Sequence, residues 1–239
     1  MVLEVLAESN LTFLEIHNKL GINKASLSRI LNSILINGYI RKDPTTQKFS
    51  LSIKTFELGV NSVRKLSYTN LIKPHLEELS QKLNVIAQFS IEYENEIMCI
   101  ESFDSNDKNV FSIYTKVGQK SPIYSTSAGK SILSTYTNEE IKSKWQSLNV
   151  QQLTPNTITT LDEFLNNINQ IREKKYALDM EENEIGLFCI GCALKNYNNQ
   201  PIGAISLSFK NFTEEKECVY SKTLLEHIEA ISTVLGLVY

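Results

Sequence analysis

The chain has 239 residues, 42% hydrophobic and 21% charged, a balance that excludes a disordered polymer and suffices for one large domain or two ordinary ones. It lacks a run of eighteen apolar residues, its opening Met1-Val2-Leu3-Glu4 does not read as a secretory signal, and four cysteines are too sparse for a disulfide scaffold; a reduced, cytoplasmic protein with no membrane partner is expected. The net charge of −3 argues weakly against nucleic-acid binding, but it is uneven: residues 1–60 hold seven Lys/Arg against five acids, +2, which leaves −5 for the remainder.

A first helix is expected at 2–7, ended by Ser9-Asn10. Thr12-Phe13-Leu14-Glu15 has the spacing of a capping box, in which hydroxyl and carboxylate satisfy free amides at the start of a second helix. Gly21 then supplies a tight turn and Asn23 an N-cap. In the third helix Leu27, Ile30, Leu31, Ile34 and Leu35 recur with helical period and form one apolar face, so that Ala25, Ser28, Arg29 and Asn32 point away from the core. Asn37-Gly38 stops this helix, and residues 39–42 and 48–51 read as strands around a turn at 43–47.

Helices, a glycine turn and a hairpin in this order describe a winged helix-turn-helix, whose third helix fits the major groove of DNA. The small Ala25, Ser26 and Ser28 let the backbone approach closely, and Lys24 and Arg29 reach phosphates or guanine edges. Thr45, Thr46, Gln47 and Lys48 at the hairpin tip suit backbone or minor-groove contact. The plainer alternative is a helical segment whose polar face is merely solvated.

Residues 55–83 read as helix, with Phe56, Leu58, Val60, Val63 and Leu66 offering a linker and a dimer contact. Beyond 85, strands and helices alternate. Val85, Ala87, Phe89, Ile91 and Tyr93 form the buried face of a strand, followed by strands at 96–100, 110–115 and 202–208. Thr137 with Glu140 and Thr160 with Glu163 have capping-box spacing, and Thr213 caps the last helix. The mixture predicts an α+β fold, a sheet covered by helices, with boundaries at 1–54 (winged helix-turn-helix), 55–72 (linker helix) and 73–239.

The run from Gly21 to Leu31, then Gly38-Tyr39-Ile40 and Phe49-Ser50-Leu51, resembles the DNA-binding half of the isocitrate lyase regulator (IclR) family. Pro74-His75-Leu76-Glu77-Glu78-Leu79, Val117-Gly118, Ala128-Gly129-Lys130 and residues 153–159 continue the likeness in family order. The family signature is filled by Asp179, Glu182, Cys189, Ile190 and Gly191. Two positions depart from it: Lys175 stands where Gly is usual, and Lys195 where an aromatic or His is usual. The resemblance implies a GAF-like α/β effector-binding domain, a double-stranded DNA operator, a small organic acid as effector and no cofactor. It also implies a homodimer or homotetramer that acts as a repressor of a catabolic operon. It places Ala128, Asp179, Cys189, Ser206 and Ser208 in the effector pocket, joined by Ser127, which replaces a frequent Gly and adds a hydroxyl.

The residues fit that role. Ser206 and Ser208 share one face of a strand, and the small residues at 125–129 precede a helix whose first amides suit an anion. Read without the resemblance, the serines face solvent and Asp179 is a helix or turn residue. Cys189-Ile190-Gly191-Cys192 raises redox sensing or a zinc site, but residues three apart on a strand face opposite ways and no second pair follows. An enzyme with Cys189 as nucleophile and Asp179 and Glu182 as acid and base lacks a nearby histidine, so neither catalysis nor metal binding is expected.

Overall fold

The computed structural model describes residues 1–64, 68–104 and 117–235, and the chain divides into two compact units, Met1–Leu66 and Ser67–Tyr239. The first contains α1 (Val2–Glu8), α2 (Phe13–Leu20), α3 (Lys24–Ile36), β1 (Ile40–Lys42), β2 (Phe49–Leu51) and α4 (Ile53–Arg64). The capping box forms: Thr12 N donates to the Glu15 carboxylate at 2.7 Å and Glu15 N to Thr12 Oγ1 at 3.4 Å. Gly21 closes α2 in the left-handed conformation at φ 64, and Asn23 Oδ1 accepts from Ala25 N at 2.9 Å. β1 and β2 pair antiparallel, and Leu11 bridges to Phe49 through two amide–carbonyl bonds of 3.1 and 2.7 Å.

Val2, Leu6, Ile16, Leu27, Leu31, Ile40 and Phe49 are buried together at the centre of this unit. The apolar face of α3 is narrower than its sequence suggests. Leu27 and Leu31, four residues apart, point inward, whereas Ile30 sits on the flank of that stripe and is 39% exposed.

The second unit runs α5 (Thr69–Leu83), β3 (Ile86–Tyr93), β4 (Glu96–Phe103), β5 (Lys120–Pro122), α6 (Ser127–Leu133), α7 (Asn138–Ser147), α8 (Leu161–Lys174), β6 (Ala177–Met180), β7 (Phe188–Lys195), β8 (Pro201–Phe209) and α9 (Glu214–Val234). The strands form one antiparallel sheet in the order β5-β4-β3-β8-β7-β6. Helices α5 and α9 pack on one face; α6 packs on the other, with α8 behind it. Gly191 fixes the approach of α6, because a Cβ there would lie 2.7 Å from the Ser127 carbonyl carbon.

Several expectations change here. Helix was expected across 55–83; the described residues give α4 and α5 as separate helices, and 65–67 lie outside the description. The strand expected at 110–115 also falls outside the described residues. β3 is buried on both faces from Ile86 to Ser90, because Gln88 and Ser90 face an enclosed space beneath α6 instead of water. The Thr137–Glu140 box forms and Thr213 Oγ1 accepts from Lys216 N at 3.2 Å, whereas the Thr160 side chain makes no capping bond to α8. Lys175 ends α8 at φ 66, a left-handed position that favours glycine. No helix among the described residues is long and apolar enough to cross a membrane.

Candidate DNA-binding face and ligand cavity

In the first unit, Lys24, Ala25, Ser26, Ser28 and Arg29 all lie exposed on the N-terminal half of α3, the side away from Leu27 and Leu31. Thr45, Thr46 and Lys48 are exposed at the β1–β2 turn. That turn is held from inside by Asp43, whose Oδ1 accepts from Thr45 N at 2.9 Å, Thr46 N at 2.6 Å and Thr46 Oγ1 at 2.9 Å. These bonds, the Thr46 amide foremost, hold the Asp43 carboxyl below its ordinary range. The Thr46 hydroxyl proton is thus committed to the turn, which leaves Thr45 and Lys48 as the freer tip groups.

In the second unit, Ser127, Ala128, Asp179, Cys189, Ser206 and Ser208 line one cavity of about 210 Å3. The register explains the convergence. Asp179 pairs with Cys189, Cys189 with Ser208, and Gly191 with Ser206, so these residues share the face of β6, β7 and β8 that α6 covers. Gly191 has no side chain, and the backbone of Ser127 and Ala128 takes its place. Thr126 caps α6, its Oγ1 accepting from Gly129 N at 3.2 Å; one of the amides expected to receive an anion is therefore already engaged.

The sequence reading missed part of the lining. Gln88, Ser90 and Cys99 come from β3 and β4, and Asn183, Glu184 and Leu187 from the segment after β6. Alternation along β3 carried the signal, since Gln88 and Ser90 must share a face; which face was covered required the topology.

Two further charged residues were not read as part of the site. Lys130 is fully buried and forms an ion pair with Glu182 Oε1, while Glu182 Oε2 is buried with no hydrogen-bond partner among the described residues. Thr154 and Thr157 hold this segment, their hydroxyls donating to the carbonyls of Glu181 at 2.7 Å and Glu182 at 2.6 Å. Asp179 Oδ1 accepts from Glu182 N at 2.8 Å. Burial raises the Asp179 carboxyl to about 7; the Lys130 charge opposes the shift and that of Glu182 adds to it. A carboxyl titrating at about 7 is part-protonated near neutral pH, so Asp179 can offer a ligand either a donor or an acceptor.

The cysteine alternatives fail on geometry. Cys189 faces the cavity, 3.2 Å from Ser208 Oγ, whereas Cys192 faces the other side of β7 and donates to the Lys175 carbonyl at 3.2 Å. Burial raises both thiols, Cys192 to about 12, so neither is a thiolate near neutrality. The described cavity lining contains no histidine to activate Cys189.

Residues 60–233 match the family model for the bacterial transcriptional regulator IclR C-terminal domain. The chain is 27% identical over 238 residues to the HTH-type transcriptional regulator KdgR of Escherichia coli K12, covering 98% of this chain and 90% of that one. Thermotoga maritima IclR superposes with a TM-score of 0.79 at 26% identity, over 99% of this chain and 96% of that one. An IclR homolog from Microbacterium hydrocarbonoxydans, complexed with 4-hydroxybenzoate, superposes with a TM-score of 0.81 over 95% of this chain and 92% of that one; at 18% identity this is a likeness of fold alone. These relatives are transcriptional regulators and not enzymes. The chain belongs to the IclR family of transcriptional regulators.

Proposed function

We propose that the chain is a cytoplasmic repressor of a catabolic operon whose hold on DNA is set by a small organic acid. Residues 1–54 read a double-stranded operator, residues 55–72 connect, and residues 73–239 bind the acid. Lys24, Ala25, Ser26, Ser28 and Arg29 meet the major groove, and Thr45, Thr46 and Lys48 meet the adjacent backbone. The carrying observation is that Ser127, Ala128, Asp179, Cys189, Ser206 and Ser208, drawn from four separate elements, line one cavity. At about 210 Å3 it suits a short acid, with serine hydroxyls and a part-protonated Asp179 as donors. The 4-hydroxybenzoate complex of the Microbacterium hydrocarbonoxydans homolog supports an acid as ligand of this fold.

Operator half-sites are normally read by symmetric dimers, and α4 exposes Ile53, Phe56 and Leu58 at 80%, 68% and 48%. This supports a homodimer, or a tetramer built from dimers. The acid shifts DNA affinity only through its different affinities for the two states of the protein. The test is a thermal-shift screen of organic acids on the parent and on Ser206→Ala/Ser208→Ala, followed by operator titration with the acid that binds. The expected acid raises the melting temperature of the parent alone and weakens operator binding. A screen with no shift refutes the pocket assignment, and unchanged operator affinity at saturation refutes the coupling.

A further inference from the structure

At the edge of the sheet, where β7 runs on past its pairing with β6, lies a groove of about 470 Å3 that shares no lining residue with the effector cavity and is bounded by the end of α6, α8, β7 and α9. Its floor is apolar, with Ile171, Cys192, Ala193 and Ile228 all buried. Its polar wall carries three cations, Arg172, Lys175 and Lys195, against one carboxylate, Glu229. Arg172 is fixed by neutral acceptors: Nε donates to the Ser134 carbonyl at 3.0 Å, Nη2 to the Tyr136 carbonyl at 2.6 Å and Nη1 to Asn138 Oδ1 at 2.8 Å. Among the described residues no carboxylate forms an ion pair with it. Among the described residues neither Lys175 nor Lys195 has an ion-pair partner.

This positive wall stands in a part of the chain, residues 61–239, whose net charge is −5. Lys175 supplies its cation from a left-handed backbone position, φ 66, that a glycine would hold without strain. Lys195 arrives from a different element, the irregular end of β7, and the charges of both lysines act on the Cys192 thiol in the floor. An apolar floor beside three lining cations and a single carboxylate, at a volume ordinary for small-molecule sites, selects an amphipathic anion.

We propose that this groove is a second ligand site, separate from the effector cavity, that takes a small carboxylate with an apolar body. The apolar part lies on Ile171, Ala193 and Ile228, and the carboxylate meets the ammonium groups of Lys175 and Lys195.

The probe is 4-fluorobenzoate, followed by 19F NMR on the full chain. In the Ser206→Ala/Ser208→Ala background, which weakens the effector cavity, titration still saturates. Adding Lys175→Gln/Lys195→Gln weakens that binding about 10- to 100-fold, as expected for loss of charge-assisted hydrogen bonds. Leu225→Trp, which fills the groove from α9 and keeps both cations, gives a loss of the same order, and neutral 4-fluorobenzyl alcohol does not respond to the lysines. Absence of saturable binding in the serine variant, or binding indifferent to the lysines, overturns the proposal. A change of sedimentation coefficient on lysine loss also overturns it, assigning the groove to contact between copies. If the effector-cavity reading is wrong, the serine substitutions leave the titration as in the parent while the lysine substitutions still weaken it to the same degree, so the two failures are told apart.

Discussion

Gly191 and Ser127 meet backbone to backbone: a Cβ on Gly191 would stand 2.7 Å from the Ser127 carbonyl carbon and 2.8 Å from the Ala128 amide nitrogen. The contact sets the depth of the cavity roof. Gly129, one turn into α6, is as tightly placed, since its Cβ would lie 2.1 Å from the Ile123 carbonyl oxygen. Gly191 thus lets a seven-residue helix lie directly on β7, and Gly129 lets that helix close against the segment that follows β5. Gly191→Ala should cost about 1–3 kcal/mol by overpacking, read as a lower midpoint in chemical denaturation. It should also abolish any acid-induced thermal shift, because α6 must lift. A variant as stable as the parent would mean that α6 does not sit against β7.

On the DNA face, Arg29→Ala and Lys24→Ala should each weaken operator binding. If the residue meets a phosphate, the slope of log affinity against log salt flattens by about 0.9 per residue and all sequences weaken alike. If it meets a base edge, the loss is about 1–3 kcal/mol and one operator position relaxes. Salt-series titrations on a set of operator variants separate the two cases. Unchanged affinity in both variants would remove α3 from the major groove.

Local chemistry in the first unit was legible because it is local. Thr12 and Glu15, Gly21, and Asn23 act on neighbours within five residues, and each forms the cap or turn that its spacing implies. Ile30 was misread because periodicity gives the direction of a stripe but not its width, which depends on what packs against it. The cavity was legible only through likeness to a family. Ser206 and Ser208 sharing a face follows from alternation, but their distance from Asp179 depends on β6, β7 and β8 lying side by side. Gln88 and Ser90 went unread for the same reason: polar residues on alternate strand positions look solvated until a helix is known to cover them. Lys130 was quoted only as part of a motif, since nothing nearby in the chain announces its partner, 52 residues away.

Asp179 makes stability depend on pH. Its folded carboxyl titrates at about 7 against an ordinary value of 3.8, so between those values the folded state holds a proton that the unfolded state has lost. Stability from this group is therefore highest below about pH 4, falls as pH rises toward 7, and is level above that. Asp179→Asn keeps an Oδ1 acceptor for the Glu182 amide and removes the titration. Relative to that variant, the parent should lose about 1.4 kcal/mol per pH unit across the window at most. Denaturation midpoints of both proteins from pH 4 to 8 test this, and parallel curves would mean that Asp179 is hydrated.

The Lys130–Glu182 pair offers the sharpest separation of structure from charge. Both side chains are out of water, at 0% and 7% exposed, and the backbone around Glu182 is held independently by the Thr154 and Thr157 hydroxyls. Lys130→Met removes the ammonium and strands a buried carboxylate, which should cost about 3–5 kcal/mol. Adding Glu182→Leu removes the stranded charge, and the double variant should recover most of that loss, because a well-packed apolar pair replaces a buried ion pair at little or no cost. The recovery follows only if the pair is dry. A single substitution costing under about 1 kcal/mol is the behaviour of an exposed pair, and would show that water reaches Lys130 beneath α6. If the double variant stays as unstable as the single one, the ion pair itself fixes the loop after β6. Acid binding in that double variant then reports whether the loop positions Asp179 at the cavity wall.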